Sequence, residues 1–170
     1  MVLSLIVVGG ALGIFVLLLP KSPHAKVTTV AYLPAAQALA KESSLPVLVP
    51  DPSPVGWQSN YVRIGNAPDA LHIGFVLSEK RFARLDETAK PDAAFFRDSY
   101  VPVGGPAPAS ASPTERPPAG FEVRRSGAHV ALLRQLSGGA VLTISDGGTT
   151  SGASLSELVS LAKSLRRLPG

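Results

Sequence analysis

The chain opens on an unbroken apolar run. Val2 to Leu19 reads VLSLIVVGGALGIFVLLL, with Ser4 its only polar side chain. At about 1.5 Å per residue such a run makes a helix roughly 27 Å long, close to the hydrocarbon thickness of a bilayer. A helix also satisfies its own backbone hydrogen bonds in lipid. The pattern predicts a transmembrane anchor over residues 1–20, with membrane contact through residues 2–19. A cleaved signal peptide would carry a basic leader, a shorter apolar core and small residues at its exit. Here no Lys or Arg precedes the core, and the exit reads Pro20-Lys21-Ser22-Pro23-His24-Ala25, so an uncleaved anchor is expected. Gly9 and Gly13 have the G-x-x-x-G spacing that lets two membrane helices approach, and are candidate contacts for a weak homodimer.

Beyond the anchor the pattern changes. Residues 21–32 read as a polar, Pro-containing tether, and 33–170 as a single α/β domain. Pro34 to Glu42 is Ala-rich with Pro at a first helical position and predicts a short helix. Pro46, Pro50, Pro52 and Pro54 each fix φ and remove an amide donor, so this stretch is expected to lie extended along a surface up to Trp57. Tyr61–Ile64 and Ala70–Leu77 read as strands. In the second, Leu71, Ile73, Phe75 and Leu77 share one face, and Ala70, His72, Gly74 and Val76 the other. Arg81–Leu85 predicts a third strand, and Pro91–Tyr100 a helix with Ala94, Phe95 and Phe96 or Tyr100 available for burial. Residues 103–118 are rich in Pro, Ala and Ser, lack periodicity, and predict a disordered loop.

The last third is the most regular. Phe121–Arg125, His129–Leu136 and Ala140–Ser145 read as consecutive strands linked by Gly-containing turns. Ser154-x-x-Glu157 has capping-box spacing, and Leu155, Leu158, Val159, Ala162 and Leu165 form one helical stripe. Lys163, Arg166 and Arg167 are expected in that helix's last turn, where cations suit the dipole. The fold class expected is α+β: an N-terminal transmembrane helix plus a two-layer sandwich, with a mainly antiparallel sheet of five or six strands and helices on one face.

Composition sharpens this. All the charged residues, 16 Lys+Arg and 12 Asp+Glu, follow Pro20, and charged residues make up 16% of the chain. That is below the roughly 25% usual for soluble domains. The absence of Cys excludes disulfides, thiolate metal sites, thiol catalysis and an acylated lipoprotein. Lys21 and Lys26 follow the apolar run, and on a literal positive-inside count they would hold the domain in the cytoplasm.

The segments that carry a resemblance are the apolar N-terminus, the Ala-rich helix followed by Leu45-Pro-Val-Leu-Val-Pro50, Gly56-Trp57, Ala70-Leu-His-Ile-Gly-Phe75, and Ser151-Gly-Ala-Ser-Leu-Ser-Glu-Leu158 running on to Ala162-Lys-Ser-Leu165. Together they resemble an uncharacterised single-pass membrane family of actinobacteria, domain of unknown function 4245. The resemblance implies a domain outside the cytoplasm, opposite to the lysine count, and supplies no catalytic residues.

Candidate chemistry is sparse. His72 and His129 lie in predicted strands and could share a sheet, but no H-x-H or H-x-x-x-H exists, so no metal site is expected. Gly147-Gly-Thr-Thr-Ser-Gly152-Ala-Ser154 approaches a phosphate loop, yet Ala153 stands where the phosphate-binding Lys belongs, and a capped turn is the better reading. No Ser lies in a G-x-S-x-G elbow. Asp51, Asp86, Glu87 and Asp98 are expected to be solvated acids in turns or on polar faces. Arg124, Arg125, Arg134, Arg166 and Arg167 give the C-terminal third a basic bias, for which an ordinary solvated face is the better reading and attraction to anionic lipid or envelope polymers the alternative. Nucleic acid is not expected, because aromatic stacking residues are not interleaved with these cations. The expectation is a non-enzymatic, membrane-anchored extracytoplasmic domain that binds a protein or an anionic envelope component, without cofactor. Its candidate surface comprises Trp57, His72, His129, Arg124 and Arg134, with a core or rim anchor the better reading for Trp57. The alternatives are a small-ligand or lipid carrier, which needs an apolar cavity between sheet and helices, and a hydrolase whose site assembles only in three dimensions.

Overall fold

The computed structural model describes residues 28–65, 70–77, 81–102 and 112–170. The expected anchor, its Gly9/Gly13 spacing, tether residues 21–27 and loop residues 103–111 lie outside the described residues. Among the described residues, no helix is long and apolar enough to cross a membrane.

The domain is α+β, built on an antiparallel sheet. We number its strands β1 (Leu48–Pro50), β2 (Trp57–Ile64), β3 (Ala70–Leu77), β4 (Arg81–Thr88), β5 (Phe121–Ser126), β6 (His129–Gln135), β7 (Val141–Ser145) and β8 (Leu165–Arg167). The helices are α1 (Leu33–Glu42), α2 (Ala93–Asp98) and α3 (Leu155–Lys163). Six strands form one sheet in the order β2-β3-β4-β7-β6-β5, and β1 pairs with β8 in a separate two-stranded ribbon. The two halves of the chain thus each supply a three-stranded meander, joined edge to edge where β4 meets β7.

Period-two alternation decides the layers. Leu71, Ile73 and Phe75 of β3, Leu85 of β4, Leu132 of β6, and Leu142 and Ile144 of β7 form the core, each at most 1% exposed. They meet Ala36, Leu39 and Ala40 of α1 and Leu158, Val159, Leu161 and Ala162 of α3. Each fully buried Leu, Ile or Phe contributes about 1.5–3 kcal/mol of hydrophobic stabilisation before entropy is charged against it. Trp57 and Tyr32 close the β2 end of this core with edge-to-face contacts on Phe75 at 6.1 and 5.7 Å.

Several expectations are corrected here. The end of the expected tether is docked: the Val30 amide donates to the Ser59 carbonyl at 2.8 Å, and the buried Tyr32 hydroxyl donates to the Pro50 carbonyl at 2.6 Å. The Pro-rich 45–50 stretch does not run along a surface. Leu45, Val47 and Val49 are buried, because β8 supplies a pairing partner that local propensity does not reveal. The final helix stops at Lys163. Ser164 caps it by donating to the Leu161 carbonyl at 2.7 Å, and Arg166 and Arg167 belong to β8 instead of the last helical turn. Leu165 is buried in either arrangement, so the apolar stripe could not distinguish them. Within the expected disordered loop, Pro113–Glu115 forms a 3-10 turn against α3.

The expected one-sided helix layer is also incomplete. α1 and α3 cover the core face, whereas α2 and the residues after it lie over the opposite, second face. Ala93, Phe96 and Arg97 of α2 share a groove with Leu133, Gln135 and Val141 of that face. None of the α2 side chains is fully buried.

Candidate functional site on the second sheet face

Register places Arg63, His72, Asp86, Thr143, Leu133 and Glu122 in one row across all six strands of the second face. Tyr61, Gly74, Arg84, Ser145, Ala131 and Arg124 make the next row. Directly opposed residues on one face sit within side-chain reach, so this register gathers ionisable and hydroxyl groups that are scattered in sequence. Gly74 belongs to it for a steric reason: a Cβ there would stand 2.9 Å from Asn60 Oδ1 and 3.2 Å from Tyr61 Cβ.

Asp86 is the centre of the cluster and is 0% exposed. Its Oδ1 lies 2.6 Å from His72 Nδ1 and accepts from Arg84 Nε at 2.7 Å, while Arg84 Nη2 is 3.3 Å from the same imidazole nitrogen. Among the described residues, Asp86 Oδ2 has no hydrogen-bond partner, and neither do the buried hydroxyls of Ser99, Thr143 and Ser145. Buried polar atoms normally find partners, since leaving one unmet costs about 1–3 kcal/mol. Above the cluster, the Tyr100 ring lies over the Arg84 guanidinium at 5.8 Å. The same ring packs on Gly148, where an added Cβ would stand 2.3 Å from Tyr100 Cδ1.

Two cavities flank α2 on this face. An apolar groove of about 620 Å³ is lined by Ala93, Phe96, Val101, Pro102, Leu133 and Val141, with Arg97, Arg124 and Gln135 supplying its polar groups. A cleft of about 280 Å³ is lined by Tyr61, Arg63, His72, Arg84, Lys90, Asp92, Phe95 and Asp98, among others. A third cavity, about 320 Å³, sits at the Gly-rich 147–152 turn beside His129. Its Asp146 and the neighbouring Glu157 already have protein partners. Asp146 accepts from the Val130 and Gly148 amides and lies 3.1 Å from His129 Nδ1. The Glu157 carboxylate accepts from the Ser154 amide and hydroxyl and pairs with Arg81 at 2.7 Å. A carboxylate thus occupies the helix start that a phosphate would need, in agreement with a capped turn.

The chain matches a family model, protein of unknown function DUF4245, over residues 1–165. It belongs to the DUF4245 family. No curated protein and no solved structure matches it.

The expected surface residues of this DUF4245 protein fall in different places. His72 joins the second-face cluster. His129 is on the same sheet, but β4 and β7 separate β3 from β6, and each imidazole has its own carboxylate. No hydroxyl hydrogen-bonds either ring among the described residues. Trp57 is core, 7% exposed, and presents no surface. Arg124 pairs with Glu122 at 2.8 Å on the second face. Arg134 lies on the other side of β6, over the Phe121 ring at 5.5 Å. The arginine bias of the last third therefore does not make one basic patch. No group of three or more His, Cys, Asp or Glu that could hold a metal occurs among the described residues.

Reading the sequence alone missed Asp86 and Glu87, which are buried and not solvated. Asp86 shares the second face with His72. Glu87 points to the core, where both carboxyl oxygens lie 3.0–3.2 Å from the Leu48 amide. Burial pushes the Glu87 carboxyl well above the usual range, and the Leu48 amide opposes this only partly. The available signal was length: extending β4 past Leu85 to Thr88 puts Asp86 in register with His72.

Proposed function

We propose that this protein is a membrane-tethered, non-enzymatic binding module held outside the cytoplasm, whose second sheet face takes the apolar part of an amphipathic envelope component. The observation that carries the reading is the groove between α2 and that face. Ligand sites are concave, mostly apolar, and oriented by a few polar groups. This groove has that make-up and lies on the same face as the Thr143 and Ser145 hydroxyls, which have no partner among the described residues. The apolar residues 2–19 support a tether, which would keep the groove near lipid. A hydrolase is the weaker reading, because among the described residues neither His–Asp pair has a hydroxyl nucleophile bonded to it.

The test is photo-crosslinking in intact cells, with benzoylphenylalanine in place of Phe96 and, as a control, in place of Val55, which is fully exposed. An acyl-bearing adduct at 96 and none at 55 is the expected result. Equal labelling at both positions, or none at 96, would remove the proposal.

A further inference from the structure

We propose that the cleft on the other side of α2 is an oxyanion subsite, in which Arg63, His72, Arg84 and Lys90 take a phosphate or carboxylate group. It deepens the reading above, and rests on that reading only for the source of the anion. The four basic groups come from β2, β3, β4 and the turn after β4, and converge on one cavity of about 280 Å³. Asp86, fully buried behind them, acts as the positioning residue. By accepting from Arg84 Nε and bonding His72 Nδ1 through a single oxygen, it fixes both planar groups. Among the described residues, His72 Nε2 and Arg84 Nη1 have no protein partner. A carboxylate behind an imidazole or guanidinium is the usual way to orient such groups for a ligand.

The acids of the cleft are already engaged. Asp92 Oδ1 accepts from the Phe95 amide at 2.7 Å to cap α2, and Asp98 pairs with Arg97 at 3.1 Å. Arg63 and Lys90 are exposed and make no side-chain hydrogen bond or ion pair among the described residues; with Arg84 paired to Asp86 and Arg97 to Asp98, they face only the charge that Asp92 keeps, and the cleft retains a positive excess. An arginine fork and an ammonium suit an oxyanion better than any neutral ligand.

The experiment titrates the full-length chain, purified in a non-ionic detergent, with inorganic phosphate in one arm and monomeric dihexanoylphosphatidylglycerol in the other. The comparison protein is the double variant Arg63→Ala/Lys90→Ala. Binding is read by calorimetry, and the thermal midpoint of Trp57 fluorescence reports whether the variant is folded. Saturable binding that weakens at least tenfold in the folded double variant is the expected result. If the lipid binds tenfold or more tighter than phosphate, the anion is a headgroup whose tails reach the groove; equal affinities assign the subsite to a free oxyanion. No saturable binding of either probe, or binding that the double variant leaves unchanged, overturns the proposal. The groove reading would survive that outcome, because its own test follows acyl capture at position 96.

Discussion

Gly148→Ala is the most informative single change, because the structure gives its cost in two separable parts. Gly148 has φ +66°, a left-handed conformation that costs an Ala about 1–2 kcal/mol. Its added methyl would also lie 2.3 Å from Tyr100 Cδ1, 2.8 Å from Cε1 and 2.9 Å from Cγ. No side chain tolerates such contacts, so the Tyr100 ring must leave. It would then lose its place over Arg84, a cation–π contact worth about 0.5–1 kcal/mol at an exposed site. Tyr100 is itself held at φ +54°, so the segment joining α2 to Val101 has little slack with which to follow. The sum is a destabilisation of about 1.5–3 kcal/mol. Urea denaturation followed by Trp57 fluorescence measures it, since Trp57 is the only Trp and is packed against Phe75. The two parts separate in a Tyr100→Ala background, where Gly148→Ala should cost only the backbone part, about 1–2 kcal/mol. An unchanged cost in that background would refute the role given to the ring, and with it the account of how α2 is held over the second face.

Other outcomes follow from the core and the buried acids. Leu158→Ala, at a site 0% exposed between α3 and the sheet, should lower stability by about 2–5 kcal/mol in the same denaturation assay. Burial raises the folded pKa of the Glu87 carboxyl. The stability it contributes is fully present below the usual carboxylate range and falls as pH climbs towards the raised value. Urea midpoints measured from acidic to alkaline pH should show that fall in the wild type and a flatter profile in Glu87→Gln. Asp86→Ala should cost about 2–4 kcal/mol, because it leaves Arg84 and His72 partly buried beside an empty position; a loss below about 0.5 kcal/mol would argue against Asp86 as the organiser of the cluster.

How much of this was legible in the sequence depended on whether the deciding interaction was local. Ala70–Leu77 could be read to the residue and to the face, because its alternation is clean and both ends are marked by turn residues. The capped start of α3 was equally plain, since Ser154 and Glu157 are three residues apart and act on each other. Leu48–Pro50 was opaque: it is a strand only because Leu165–Arg167, more than a hundred residues later, lies beside it. The same pairing ends α3 early, against a helical stripe that runs on to Leu165. The site was harder still. His72 was visible as a strand residue, but its partner Asp86 looks like an ordinary turn acid until β4 is carried three residues further. Trp57 was ambiguous between core and surface, and only the contact with Phe75 decides it.

The central claim is that the second face, under α2, holds an amphipathic molecule. Native mass spectrometry of the full-length chain, purified from its own cells in mild detergent, tests that most directly. Wild type should carry one acyl-bearing molecule per chain, and Ala93→Trp, which fills the groove from the exposed side of α2, should carry none while keeping its thermal midpoint. A wild-type chain with no bound acyl species, or a variant that retains it in full, would contradict the account.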